Sequence, residues 1–147
     1  DEVNKGKPFL GICLGMQLLF EKSEEGMVEC LGILKGSVKK FKKMKKIPQI
    51  GWNQVKVIKQ SKLLEGIRDD YFYYVNSFYC VPDDKEVIVG ITTYGEEFAG
   101  VVAKDNIFGV QFLRILLRFQ DAFLKVHQIY LSHYLNESSL IYPIILF

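Results

Sequence analysis

The chain has 147 residues, enough for one domain with a substantial core. Hydrophobic residues make up 49% of it and charged residues 24%, which excludes a disordered chain. The formal net charge of +2 argues against nucleic acid or an anionic membrane surface as a partner, and no apolar run is long enough to span a bilayer. Three cysteines, Cys13, Cys30 and Cys80, are odd in number and widely spaced. They form neither a metal-ligand pattern nor a disulfide framework, so a reducing cytoplasm is the expected compartment and no metal or cofactor is expected. No signal peptide is visible, and a start at Asp1 reads as a fragment.

In chain order, Pro8 to Cys13 reads as a short buried strand and Leu14 to about Lys22 as the helix after it. Ser23-Glu24-Glu25-Gly26 is a polar break. Gly32 to Lys39 has the glycines and partial alternation of an irregular or edge strand. Six lysines then fall within Lys39 to Lys46, a solvated strand end and loop or a docking patch for phosphate or an acidic partner. Pro48 and Gly51 predict a bend before an alternating strand, Val55 to Ile58, and Lys62 to Ile67 a helical turn closed by glycine. Tyr71 to Cys80 is aromatic and β-branched throughout and reads as one strand. Strands follow at Val87 to Thr93, Glu97 to Ala103 and Ile107 to Phe112. From Leu113 the spacing changes to that of an amphipathic helix reaching about Leu135, and an apolar tail from Leu140 to Phe147 is either packed or an aggregation liability.

The chemistry-bearing stretch is Gly11-Ile12-Cys13-Leu14-Gly15-Met16-Gln17. A cysteine between two glycines at a strand-to-helix turn has the layout of a nucleophile elbow, where small neighbours let the side chain stand clear of the backbone. The start of the helix aims N–H groups at the sulfur and is expected to favour thiolate. A buried structural cysteine in an ordinary loop is the plain alternative.

This heptapeptide resembles the nucleophile motif of class I (triad-type) glutamine amidotransferases. Within that class the chain is most similar to the glutaminase subunits of imidazole glycerol phosphate synthases. That narrower match is carried by Ile50-Gly51-Trp52-Asn53-Gln54-Val55, by Phe72 to Tyr79 and by Phe108-Gly109-Val110-Gln111-Phe112, in the family's order and at about its spacing. The resemblance covers about Gly6 to Phe119. It implies an α/β fold, a mixed sheet flanked by helices and incomplete at the N-terminus. Residues 1–119 are then a partial amidotransferase domain and 120–147 an unrecognised helical and apolar extension.

The resemblance further implies cytoplasmic glutamine hydrolysis that passes ammonia, in histidine biosynthesis, to a cyclase subunit of (β/α)₈-barrel type in a heterodimer. Cys13 is then the nucleophile, Leu14 an oxyanion donor through its backbone N–H, and Gln17 a hydrogen-bond partner of the substrate. Ser77 and Phe78 hold the α-amino and α-carboxylate end, and Trp52 and Asn53 lie at the docking face. Plainer readings place Trp52 in the core and Ser77 merely on a sheet.

Two departures accompany the match. Only twelve residues precede Cys13, where the family has a glycine-rich oxyanion strand and the first part of its sheet. The family continues Gly-Val-Gln-Phe with His-Pro-Glu, which supplies base and orienting carboxylate, whereas Phe112 is followed here by Leu113-Arg114-Ile115. His127 and His133 lie in the amphipathic stretch and are no substitute. The junction reads as a missing segment, and very low glutaminase activity is expected of this chain. Alternatives are a paralogous amidotransferase subunit for amino-sugar synthesis, a non-catalytic pseudo-glutaminase that binds a barrel partner, and a fragment that does not fold stably.

Overall fold

The computed structural model describes residues 3–43, 46–113 and 145–146. The expected helix beyond Leu113 lies outside these residues, as do His127, His133 and most of the 120–147 extension.

The strands in chain order are β1 (Phe9–Ile12), β2 (Lys22–Ser23), β3 (Val28–Glu29), β4 (Gly36–Lys40), β5 (Gln49–Val57), β6 (Asp70–Asn76), β7 (Phe78–Pro82), β8 (Ile88–Tyr94), β9 (Glu96–Lys104), β10 (Ile107–Val110) and β11 (Ile145–Leu146). Among the described residues a four-residue helix, α1 (Leu14–Gln17), follows β1. The larger sheet runs β11-β1-β10-β9-β8-β5-β6 and the smaller β3-β2-β4-β7. The larger sheet is mixed: β1 pairs parallel with β10 and β11, while β10 with β9, β9 with β8, and β8 and β6 with β5 are antiparallel.

The larger sheet is buried on both faces around β1, β9 and β10. Leu10, Phe98, Val101 and Phe108 enter one apolar cluster, while their sequence neighbours Phe9, Ala99, Val102 and Ile107 enter another. Side chains along a strand alternate between faces, so a strand packed on both sides reads as an unbroken apolar run. Phe9 to Ile12 and Ile107 to Val110 are such runs, and every residue of both strands is buried.

Four sequence expectations need correction. The helix after Cys13 stops at Gln17, not near Lys22. Beyond it the bonds tighten, with Leu19 N–H to the Met16 carbonyl and Phe20 N–H to that of Gln17. The carbonyls of Leu18, Leu19 and Phe20 then accept from Leu31, Leu34 and Gly32, so a returning loop takes acceptors that a longer helix needs. The stretch read as an irregular or edge strand contains β4, which is no edge, since it lies between β2 and β7. Pro48 and Gly51 do not delay the next strand, because β5 begins at Gln49 and carries Gly51 within it at φ +139°. Finally, Tyr71 to Cys80 is two strands: β6 ends at Asn76 in the larger sheet and β7 begins at Phe78 in the smaller. Ser77 is the residue at which the chain changes sheets.

The lysine-rich stretch is solvated, as both of its readings require. Lys39, Lys40, Lys42, Lys43 and Lys46 are all exposed. Lys42 and Lys43 face Glu24 at 3.8 Å and Glu96 at 3.5 Å, surface pairs that contribute little to stability.

Candidate active site

The site is built where β1 ends. Cys13 N–H donates to the Val110 carbonyl at 2.7 Å and so extends the β1–β10 ladder by one residue. The backbone then turns sharply, with Cys13 at φ 52° and ψ −106°, outside the regions comfortable for an L-residue. Its carbonyl accepts from Met16 and Gln17 at 3.1 and 3.2 Å and so opens α1. Strain of this kind persists only where the surroundings over-determine it.

The surroundings here are two glycines. Gly11 and Gly109 are register partners across β1 and β10, which makes a smooth patch beneath α1. A Cβ on Gly11 would collide with the Gly15 carbonyl and come within 2.7 Å of the Met16 nitrogen; one on Gly109 would fall 2.8 Å from Met16 Cγ. The helix sits directly on backbone, and only glycine permits that approach.

Opposite the elbow lies the switch between sheets. The Phe78 carbonyl accepts from Asn76 Nδ2 at 2.9 Å and from Gln17 Nε2 at 3.3 Å. The Ser77 carbonyl accepts from Phe41 N–H at 3.1 Å, and the Val75 carbonyl lies 4.0 Å from Cys13 Sγ. The fold therefore gathers Cys13, Leu14 and Gln17 with Ser77 and Phe78, two groups about 60 residues apart in the chain. Gln111, in sequence only one residue of a longer landmark, joins them. It is fully buried, accepts from Gln17 Nε2 at 3.1 Å and directs its own Nε2 to Cys13 Sγ at 3.6 Å. An amide in the otherwise apolar run Ile107 to Phe112 was its sequence signal, since a buried polar group needs partners.

Burial works against the thiolate that the helix start was expected to favour. It raises the thiol pKa above the ordinary cysteine value; the Leu14 N–H and the Gln111 amide pull it down but do not offset burial, and Glu25 raises it further. The junction after Phe112 is firmly held: Phe112 stacks on Phe72 at 4.1 Å, meets Tyr74 edge-on at 5.8 Å, and Leu113 N–H donates to the Tyr73 carbonyl at 2.9 Å. No histidine occurs among the described residues.

Trp52 and Asn53 are outside this cluster and on opposite faces of β5. Trp52 is 51% exposed and lies edge-on to Tyr73 at 5.6 Å, so it is not a core residue. Asn53 instead ties β5 to β8, donating to the Thr93 carbonyl at 2.8 Å, with its oxygen accepting from Gln54 N–H. Across β5 and β6 the register sets Ile50 beside Val75, Trp52 beside Tyr73 and Gln54 beside Tyr71. Ile50, Trp52, Tyr71 and Val75 are all exposed, an apolar ladder along one face of the ribbon.

Comparison with known proteins agrees with this geometry. The model of the glutamine amidotransferase class-I family matches residues 1–112. Imidazole glycerol phosphate synthase subunit HisH of Methanocaldococcus jannaschii is 55% identical over 107 residues, covering 71% of this chain and 54% of the relative. The protein of the same name from Pyrococcus furiosus is 55% identical over 113 residues, covering 75% and 58%. The chain thus spans a little over half the length of these relatives. Among solved structures, a glutamine amidotransferase from Thermotoga maritima superposes with a TM-score of 0.58 at 20% identity, covering 89% of this chain and 51% of that one. A further glutamine amidotransferase structure superposes with a TM-score of 0.58 at 14% identity, covering 89% and 63%. The chain belongs to the class-I glutamine amidotransferase family.

Proposed function

We propose that this chain carries the nucleophile half of the glutaminase subunit of imidazole glycerol phosphate synthase. The carrying observation is the strained Cys13 elbow with the Gln17 and Gln111 amides and the Phe78 carbonyl gathered around it. The 55% identity to HisH proteins supports that glutaminase over other amidotransferases. Cys13 Sγ attacks the side-chain carbonyl carbon of glutamine as the thiol proton leaves. The Leu14 N–H receives the developing oxyanion. Collapse breaks the C–N bond, the amine takes a proton and departs as ammonia, and water hydrolyses the thioester to glutamate. Gln17 holds the carboxamide, and backbone groups at Ser77 and Phe78 hold the amino-acid end. The setting is cytoplasmic and the ammonia goes to a (β/α)₈-barrel cyclase subunit, docked against the face that Trp52 presents. Asn53 serves that face indirectly, by fastening β5 to β8.

Turnover by this chain is very low. The attack needs a base to take the thiol proton, and Leu113 stands where the resemblance puts the triad histidine. The raised thiol pKa makes the need greater. The same two observations favour a second reading, a non-catalytic subunit that binds the barrel partner.

The test is glutamate release from glutamine by the chain, by Cys13→Ala, and by a variant with His-Pro-Glu inserted between Phe112 and Leu113. Marginal release by the first, none by the second and a clear gain in the third are expected. Release at an ordinary enzymatic rate by the unaltered chain would contradict the low-turnover reading. Absence of glutamine binding in all three would remove the glutaminase reading itself.

A further inference from the structure

Gln111 carries an inference beyond the nucleophile and its substrate contacts. It lies just past the end of β10, fully buried, with its backbone N–H tied to the Gly100 carbonyl at 3.0 Å. Burying a primary amide is costly unless its atoms are paired, so the direction in which it points is set by its partners.

Those partners leave one consistent arrangement. The Phe78 carbonyl can only accept, so the Gln17 amide must turn its nitrogen toward it, at 3.3 Å. The second hydrogen of that nitrogen goes to Gln111 Oε1 at 3.1 Å. Gln111 must then offer oxygen to Gln17 and nitrogen to the sulfur of Cys13, at 3.6 Å. A backbone carbonyl at the sheet switch thus sets the polarity of two amides in series, ending in an N–H directed at the nucleophile. With both hydrogens of Gln17 committed, its carbonyl oxygen is the group left for a ligand.

We propose that Gln111 is a positioning residue: it presents an N–H to the Cys13 sulfur and holds Gln17 with its carbonyl oxygen turned toward the N–H groups of a substrate carboxamide. The second half rests on the glutaminase reading; the first stands on the protein alone. The other titratable groups whose fields couple to that of Cys13 are Glu25, in the loop after β2, and Cys80, on β7; the Leu14 N–H is the remaining polar contact that lowers the thiol pKa.

The experiment measures iodoacetamide alkylation of Cys13, resolved by peptide mass spectrometry, against pH, in the 147-residue chain and in Gln111→Met. Methionine keeps length and volume but offers no N–H. A hydrogen bond to a charged group is lost from the thiolate, so alkylation near pH 8 is expected to fall by about threefold to tenfold, with the midpoint moving to higher pH. Loss of thermal stability with an unchanged midpoint would show a merely structural amide and overturn the proposal. Glutamine protection of Cys13 separates the two halves: protection in the parent that is lost in Gln111→Met supports both. A moved midpoint without protection in the parent upholds the sulfur contact and overturns the substrate half together with the glutaminase reading. For a variant that fails to fold, NMR of the glutamine-labelled parent supplies the same test. The Gln111 side-chain amide signals should move as Cys13 titrates and stop doing so in Cys13→Ala; signals indifferent to that titration would overturn the contact.

Discussion

The elbow at Cys13 and the ribbon of β5 and β6 break opposite rules. At the elbow the violation is in the backbone and in buried polarity: a cysteine at φ 52° above two paired glycines, with the amides of Gln17 and Gln111 closed away from water. On the ribbon the one positive φ falls on Gly51, which tolerates it, and it is the side chains that are misplaced, with Ile50, Trp52, Tyr71 and Val75 exposed in paired register. The first pattern costs stability to hold a reactive group in one direction. The second leaves apolar surface uncovered, as expected of a face that meets another protein. The two regions thus differ in kind, and each can be disturbed without the other.

The largest expected effect breaks the elbow. Gly11→Ala drives a methyl into the backbone of α1 and should destabilise the chain by about 3 kcal/mol, read by urea denaturation. A loss under about 0.5 kcal/mol, the range of a neutral surface change, would show that α1 moves freely on the sheet. Next, Trp52→Ala should weaken capture of a barrel-type cyclase subunit by about 2 kcal/mol, as a central aromatic does, while changing the chain's own stability by less than about 1 kcal/mol. Calorimetric titration with equal affinity for both forms would remove Trp52 from the interface.

A pH experiment sharpens the contrast in burial. Cys13 and the fully buried Cys80 both have thiol pKa values raised by desolvation above the ordinary 9.0. Above that value the unfolded chain sheds protons that the folded chain retains, so stability is full below about pH 9 and falls as pH rises past it. The slope for each thiol is about 1.4 kcal/mol per pH unit until its folded pKa is passed. Cys80→Ala should make the decline shallower; an unchanged slope would contradict the burial of that thiol. The smallest effect is Cys13→Gly, which relieves the strained φ and should stabilise the chain by about 1 kcal/mol while leaving no nucleophile. A fall in stability would mean that side-chain contacts of Cys13 outweigh its backbone strain.

Much of this was readable from the residues, in uneven degree. The strands at Phe9, Ile107 and Glu96 to Lys104 announced themselves because burial on both faces demands unbroken apolar runs. The elbow was readable because glycine at 11 and 15 has few other uses so close to a cysteine. The split of Tyr71 to Cys80 was not: nothing in a run of strand-forming residues marks Ser77 as the point where pairing passes from β5 to β4. Helix length was misjudged for a related reason, since the loop at 31–34 claims the carbonyls of Leu18 to Phe20. The sequence shows the helix start that favours the thiolate but not the desolvation that opposes it.

The sequence by itself determined the candidate nucleophile, the family motifs, their order and the lack of His-Pro-Glu after Phe112, because these are matters of residue type and spacing. Tertiary structure decided what that nucleophile meets. Pairing of β1 with β10 brings Gln111, 98 residues away, onto the sulfur of Cys13, and the change of sheets at Ser77 sets the Phe78 carbonyl against Gln17. Hydrogen bonds and burial depend on neighbours in space, so the protonation of Cys13 and the direction of two amides follow from the fold and not from the motif.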